Sequence, residues 1–334
     1  MLAVQCRYGA LVVVAALSGI GTIPAHAADD AEPKSTTCSL EPGPARTVAR
    51  IIDGETVLLD DGQSVRLIGA LSPRASDARA APGAWPAETA AVKLLTGLVL
   101  GHTVKLAYGK RHTDRYGRHL AHVFLNEGGK ETWVQGELLS SGSARAYGLP
   151  GNFVCARELL AHERAARIAK LGVWDIALYR PKPARLAGLL MSRRSRFEIV
   201  EGPIASVSRT KSGAYLNFGD DWKTDFTARI GKDVLSAHPD FDDIVADLKD
   251  KTVTVRGWIE RRNGPMIDIR DPSQLEISDP LKRAPEISAA PAPSAPKPTN
   301  APSDSTLQKP ADGGGTNEKR PADPISEKPG AVDL

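Results

Sequence analysis

Carboxylates and guanidinium groups gather in one short stretch of this chain. Ile51–Arg74 (IIDGETVLLDDGQSVRLIGALSPR) carries Asp53, Glu55, Arg66 and Arg74, and a polar segment further on reads Thr113-Asp114-Arg115-Tyr116-Gly117-Arg118. A guanidinium meets a phosphate through planar, bidentate, charge-assisted hydrogen bonds, so Arg66 and Arg118 each have the chemistry to bind one. Taken one at a time, each is equally an ordinary surface arginine. Cleaving a phosphodiester asks for more: an activated water, a cation or two on the developing oxyanion, and an acid for the leaving oxygen.

The elements that must hold these residues are short strands. Thr47–Ile52, Glu55–Leu59 and Ser64–Ile68 read as strands, the last two joined through Asp60-Asp61-Gly62, with a second turn at Asp53-Gly54. Asp-Gly between aliphatic and β-branched residues is a strong hairpin signal. Ser72–Pro86, rich in Ala, Pro and Arg, reads as a mobile loop. Pro86–Leu100 follows as a helix with Ala91, Leu94, Leu95 and Leu98 on one face and Gly101 ending it. Thr103–Ala107 and Leu120–Leu125 are two further strands. Trp133–Ser141 and Phe153–Lys170 read as helices, the second apolar at Leu159, Leu160, Ala166 and Ile168, and Gly172-Val173-Trp174 closes the unit. Periodicity by itself gives a β-rich α+β domain.

The order and spacing of these motifs resemble the staphylococcal nuclease (thermonuclease) family, whose pattern runs D-G-D-T, R-L-x-G-x-D-T-P-E and T-D-x-Y-G-R. The resemblance covers about Thr47 to Asp175. It implies a closed OB-fold barrel with helices, calcium as cofactor, and DNA or RNA, in particular single strands, as partner. In that family two carboxylates and a main-chain oxygen hold the metal, a glutamate positions the water, and two arginines bind phosphate. Carried over residue by residue, Arg66, Arg118 and Glu55 become the catalytic candidates, Glu55 the metal candidate, and Arg115, Tyr116 and Tyr147 the substrate contacts. Two acidic positions depart from the pattern: Leu71 and Arg74 stand there, in Arg66-Leu67-Ile68-Gly69-Ala70-Leu71-Ser72-Pro73-Arg74. Asp77, nearby in sequence, is a candidate replacement acid. His112, His119, His122 and His162 show no metal-ligand spacing and read as solvated or satisfied residues.

The 334 residues carry a net charge of only +3, so affinity for phosphates must come from local clusters of Lys and Arg. Met1–Ala27 has Arg7, an apolar run from Ala10 to Ile23 and the small-x-small ending Ala25-His26-Ala27, the pattern of a secretory signal peptide cleaved after Ala27. That places the protein in the periplasm or outside the cell, and nothing later is long and apolar enough to span a bilayer. Cleavage removes Cys6 and leaves Cys38 and Cys155, an even pair that an oxidising compartment favours as a disulfide, with two free thiols as the alternative.

Three more regions follow the nuclease-like domain at 45–176. A basic linker at 177–196 holds Arg180, Lys182, Arg185, Arg193, Arg194 and Arg196, either as a solvated connector or as an electrostatic tether to nucleic acid. A second domain at 197–279 has strands Gly202–Val207, Ala214–Phe218 and Asp225–Ile230, a helix Asp233–Leu248, then strands Thr252–Ile259 and Pro265–Ile269. Three strands, a helix and two strands is the order of an OB fold. Its Tyr215, Phe218, Trp222, Phe226 and Trp258, interleaved with Arg209, Lys211, Lys223, Arg256, Arg261 and Arg262, form either a base-stacking platform or a core. Residues 281–334, with ten prolines and no aromatic residue, read as a disordered tail. Three functions are consistent with this organisation: a secreted nuclease, a non-catalytic nucleic-acid binder, or an envelope scaffold that binds protein.

Overall fold

The first strand, β1 (Glu41–Asp53), is longer than its sequence pattern announces, because Pro42, Gly43 and Pro44 mask a segment that pairs antiparallel with a later strand. The computed structural model describes residues 38–278; the leader expected over Met1–Ala27 and the tail from Leu281 lie outside the described residues. β2 (Thr56–Leu59) and β3 (Ser64–Leu67) form the hairpin expected from Asp60-Asp61-Gly62. Gly62 has φ +81°, and Asp61 Oδ1 accepts the Gln63 N–H at 3.0 Å, the local turn chemistry for which Asp and Gly are chosen.

β4 (Ala70–Leu71), α1 (Pro86–Val99), β5 (Thr103–Thr113), β6 (His119–Glu127), β7 (Lys130–Trp133), α2 (Val134–Ser140), β8 (Arg145–Ala146) and α3 (Ala156–Ile168) complete the first half. β1 pairs with β2 and β5, β5 with β6, and β3 with β6 in parallel, so the five strands β1, β2, β3, β5 and β6 close into a barrel. Period-two alternation puts Val57, Leu59, Val65 and Leu67 inside and leaves Arg66 on the outer face. α1 buries Ala91, Leu95 and Val99 against the barrel, and Pro86 starts it at the first helical position. Cys38 and Cys155 form a disulfide, tying the entry to β1 to the start of α3. In the chain-entropy account a cross-link over 117 residues contributes about 3–5 kcal/mol.

β9 (Lys182–Pro183), α4 (Ala187–Ser192), β10 (Phe197–Pro203), β11 (Ser206–Thr210), β12 (Gly213–Asn217) and β13 (Thr227–Gly231) lead into the second half. α5 (Lys232–Ala237), α6 (Pro239–Ala246), β14 (Thr252–Trp258), β15 (Glu260–Arg262), β16 (Gly264–Ile269) and β17 (Leu275–Ile277) end it. The helix expected over Asp233–Leu248 is two helices, because Pro239 cannot donate the backbone bond that would continue α5. β10 pairs antiparallel with β14, β11–β12–β13 form a meander, and β13 pairs parallel with β16. The second half thus holds two sheets, ordered β17-β14-β10-β9 and β11-β12-β13-β16-β15.

Several expectations about single residues are corrected. Phe218 and Phe226 belong to the core of the second half, while Trp222 is exposed and lies under the Lys223 ammonium. Arg256 is 2% exposed and paired with Glu163, so it is unavailable to a phosphate. On α3 the buried face is Leu159, Leu160, Glu163 and Ala166, and Ile168 is exposed. The basic segment 177–196 is neither solvated throughout nor free. Lys182 donates its ammonium to the carbonyls of Ala177 and Leu178, and Arg193 pairs with Glu198. His122 is buried with neither ring nitrogen bonded, and burial holds it neutral by lowering its pKa to about 4.

A candidate phosphate-binding cleft

Glu55 sits in the tight turn between β1 and β2, where its N–H donates to Asp53 Oδ1 at 2.9 Å. Asp53 is thus used by the turn. A Cβ on Gly54 would lie 2.0 Å from Ser72 Oγ, so glycine is required for the Leu71–Arg74 segment to come this close. Ser72 N–H donates to Glu55 Oε2 at 3.0 Å. On Oε1, Arg66 Nη2 lies at 3.2 Å and Arg74 Nη2 makes a still closer ion pair. A carboxylate only 1% exposed is therefore held between two cations and a backbone donor.

The parallel pairing of β3 with β6 sets Val65 beside His119, which brings the turn ending in Arg118 next to the strand that carries Arg66. Gly117, at φ +78°, closes that turn. Asp114 organises it, accepting the N–H groups of Tyr116 and Arg118 at 2.9 and 3.0 Å and Arg118 Nε at 2.7 Å. Burial opposes its charge, but these donors outweigh that and keep the Asp114 carboxyl below the usual range. Arg115 Nη2 donates to the Tyr116 hydroxyl at 2.6 Å, and both Arg115 and Arg118 lie over the Tyr116 ring. Tyr116 itself is 67% exposed.

Arg66, Arg74 and the Asp114–Arg118 turn line one cleft of about 630 Å³, with Glu55 buried behind the two arginines. Its walls carry Arg66, Arg74, Arg111, Arg115, Arg118, Arg145, Arg193, Arg194 and Arg196, against two carboxylates, Asp77 and Asp114. Facing charges of one sign in a concave site concentrate the field and attract anions. Arg66 Nε is buried with no protein partner among the described residues, a donor that the fold leaves unmet.

Of the residues singled out from the sequence, the fold brings Glu55, Arg66, Arg115, Tyr116 and Arg118 together here. Tyr147 is different. It is 4% exposed and packs beside the Arg66 guanidinium, 5.7 Å from ring centroid to Cζ, and burial pushes its phenol up to about 12. Leu71 is 8% exposed and packs with Tyr147, Trp174 and Phe197. Asp77 lines the cleft, but its Oδ2 already accepts from Arg74 N–H and the Tyr179 hydroxyl, each at 3.1 Å. The sequence reading missed Arg145, which lies beneath the cleft with its guanidinium against Tyr179 and Phe197 and bonded to the Phe197 carbonyl. Nothing in its local sequence marks it; its depth comes from β4 and β8 pairing Leu71 with Arg145.

The donor set does not fit calcium. That ion takes about six to eight oxygens, with several carboxylates among them. Here the one buried acid has both oxygens occupied by cations and an N–H, Leu71 offers no oxygen, and Arg74 adds positive charge where a metal would sit. Among the described residues no three His, Cys, Asp or Glu side chains are grouped as a metal site.

Residues 64–176 match the family model of staphylococcal nuclease homologues. The chain is 32% identical over 133 residues to the thermonuclease of Staphylococcus hyicus, an alignment covering 38% of this chain and 74% of that protein. It is 30% identical over 136 residues to the thermonuclease of Staphylococcus intermedius, covering 40% and 77%.

Proposed function

Because this chain belongs to the staphylococcal nuclease family, we propose that it is a nucleic-acid-binding member whose cleft holds phosphates without hydrolysing them. One observation carries the reading: Arg74 occupies the carboxylate of Glu55. The charge that a metal would neutralise in a family member is neutralised by a side chain of the protein itself. What remains is the phosphate-gripping half of the site. Arg66 and Arg118 bind the phosphate, each oriented by a carboxylate, Glu55 for Arg66 and Asp114 for Arg118. Tyr147 buttresses Arg66 from below, and Tyr116, flanked by two guanidinium groups, offers a ring face to a base. The Cys38–Cys155 disulfide supports action in an oxidising compartment.

The test uses oxidised protein with labelled single-stranded DNA and RNA, with calcium and with chelator. Binding that weakens steeply with salt and is lost in Arg66→Ala and Arg118→Ala, without cleavage above the blank, is the expected result. Calcium-dependent cleavage that needs both arginines would make the protein an enzyme and overturn the reading. Neither binding nor cleavage would leave the scaffold alternative.

A further inference from the structure

We propose that Arg193–Arg196 and Trp258 form a second subsite of this cleft, so that the ligand is a single strand of several nucleotides laid across both halves of the chain. The inference rests on the phosphate-binding reading above and extends it to the ligand's length and strandedness. Arg193, Arg194 and Arg196 line the same cleft as Arg66 and Arg118, though they come from the segment that opens the second half. Of the three, Arg194 is exposed and has no charge partner among the described residues. Arg196 reaches across to the first half, donating Nη1 to the Asp77 carbonyl at 3.0 Å, and Arg193 is steadied by Glu198 at 2.5 Å.

The arm is held in place. Ser195 adopts φ +63°, a conformation uncommon for a residue with a side chain. It is fixed there by Ser195 N–H donating to the Ile259 carbonyl at 2.8 Å and Ile259 N–H donating to the Arg196 carbonyl at 2.9 Å. That pairing sets the arm against the end of β14, beside Trp258, which packs edge-on to Phe197 at 6.0 Å and lines the cleft. The two halves are themselves clamped together. Arg256 of β14 donates to the Ala146 carbonyl at 3.0 Å and pairs with Glu163 of α3 at 3.1 Å, both buried. Arg145 donates to the Phe197 carbonyl at 3.1 Å. The arginines of the arm therefore keep a fixed spacing from Arg66 and Arg118. Two aromatic side chains line the cleft, Tyr116 from the first half and Trp258 from the second, and they suit bases that are free to stack on protein, which a duplex does not offer.

The experiment measures binding of a labelled ten-nucleotide strand and a labelled dinucleotide to the oxidised full chain, by fluorescence anisotropy over a range of salt. Arg194→Ala is expected to weaken the longer strand about tenfold. It should also make its salt slope shallower by about 0.7, the value for one phosphate contact on a single strand. The dinucleotide should be unaffected, while Arg66→Ala weakens both. Trp258→Leu, checked for an unchanged melting transition, should weaken the longer strand alone. If wild-type protein binds the longer strand and Arg194→Ala and Trp258→Leu bind it equally well, the second subsite is overturned while the phosphate cleft stands. A sulfated polysaccharide that competes as well as the strand, with no effect of Trp258→Leu, overturns the assignment to nucleic acid. No binding of either oligonucleotide by wild-type protein overturns the phosphate-binding reading itself.

Discussion

Glu55 and Glu163 are both buried and both flanked by two arginines, yet they serve different ends. Glu163 is fully buried, lies within ion-pair distance of Arg256 and of Arg167 at 3.6 Å, and accepts the Ala146 N–H at 2.5 Å. Glu276 joins the same network from β17, paired bidentately with Arg167. Glu163 and Arg256 at its centre are 0% and 2% exposed, so the cluster acts as a clamp between the two halves. Glu55 has the same kind of partners, but Arg74 is 43% exposed where Arg256 is 2% exposed. Buried pairs are costly to break because the survivor stays charged in a poor dielectric, whereas exposed pairs are worth little to stability and remain free to engage a ligand. The composition of the two clusters is nearly the same; their access to water separates scaffold from site.

The largest test of that contrast is in stability. Arg256→Ala should lower the unfolding free energy by about 3–5 kcal/mol in a urea melt, since it takes the nearest cation from the fully buried Glu163 and from Glu276 together. Arg74→Ala should cost under about 1 kcal/mol, because Arg66 and the Ser72 N–H still hold Glu55. Equal losses in the two variants would break the comparison.

In binding the order reverses. Arg66→Ala should reduce affinity for a single strand by about 10–100-fold, the worth of a charged hydrogen bond, measured below the variant's own melting transition. A smaller gain is expected from the double change Leu71→Asp and Arg74→Glu, which restores carboxylates around Glu55. Titration calorimetry should then detect calcium with a Kd on the order of 10⁻³–10⁻⁴ M, where wild-type protein gives no heat.

The smallest effect is the pH dependence. Burial raises the Glu276 pKa, but Arg256 and Arg167 outweigh it and bring the carboxyl from 4.5 down to about 2. With the folded value below the unfolded one, the stability it contributes is complete above about 4.5 and is lost as pH falls toward 2. His122, lowered from 6.5 to about 4 by burial, follows the same sign: the unfolded chain takes up its proton first, so stability declines between those values. Acid unfolding should therefore begin with a shallow slope below 6.5 and steepen below 4.5, and the His122 ring should stay neutral by NMR down to about 4. Phosphate affinity from the arginines should stay flat wherever the fold persists, because guanidinium does not deprotonate.

Much of the barrel was legible in the chain. Asp60-Asp61-Gly62 and Thr113–Arg118 carry their own turn chemistry, and alternating apolar residues in 57–67 mark which face goes inward. The N-terminal half of β1 was hidden because prolines and glycine carry no strand signal, and only the long-range partner β5 makes it a strand. Ile168 and Glu163 exchanged roles on α3 for a similar reason: local polarity says Glu163 belongs in water, and Arg256, 93 residues away, says otherwise.

By itself the sequence determined the strand and turn grammar of the barrel, the order of the nuclease-like motifs, and the loss of two acidic positions to Leu71 and Arg74. These are properties of residue type and local spacing, which hydrogen bonding within a few residues enforces. Only the tertiary structure decided that Arg74 turns back onto Glu55 and that Tyr147 lies under Arg66. It also decided that arginines from 193–196 face the same cleft as Arg66. Those outcomes depend on which long-range strand pairings form and on how much water each charge retains, neither of which is written in any short stretch of the chain.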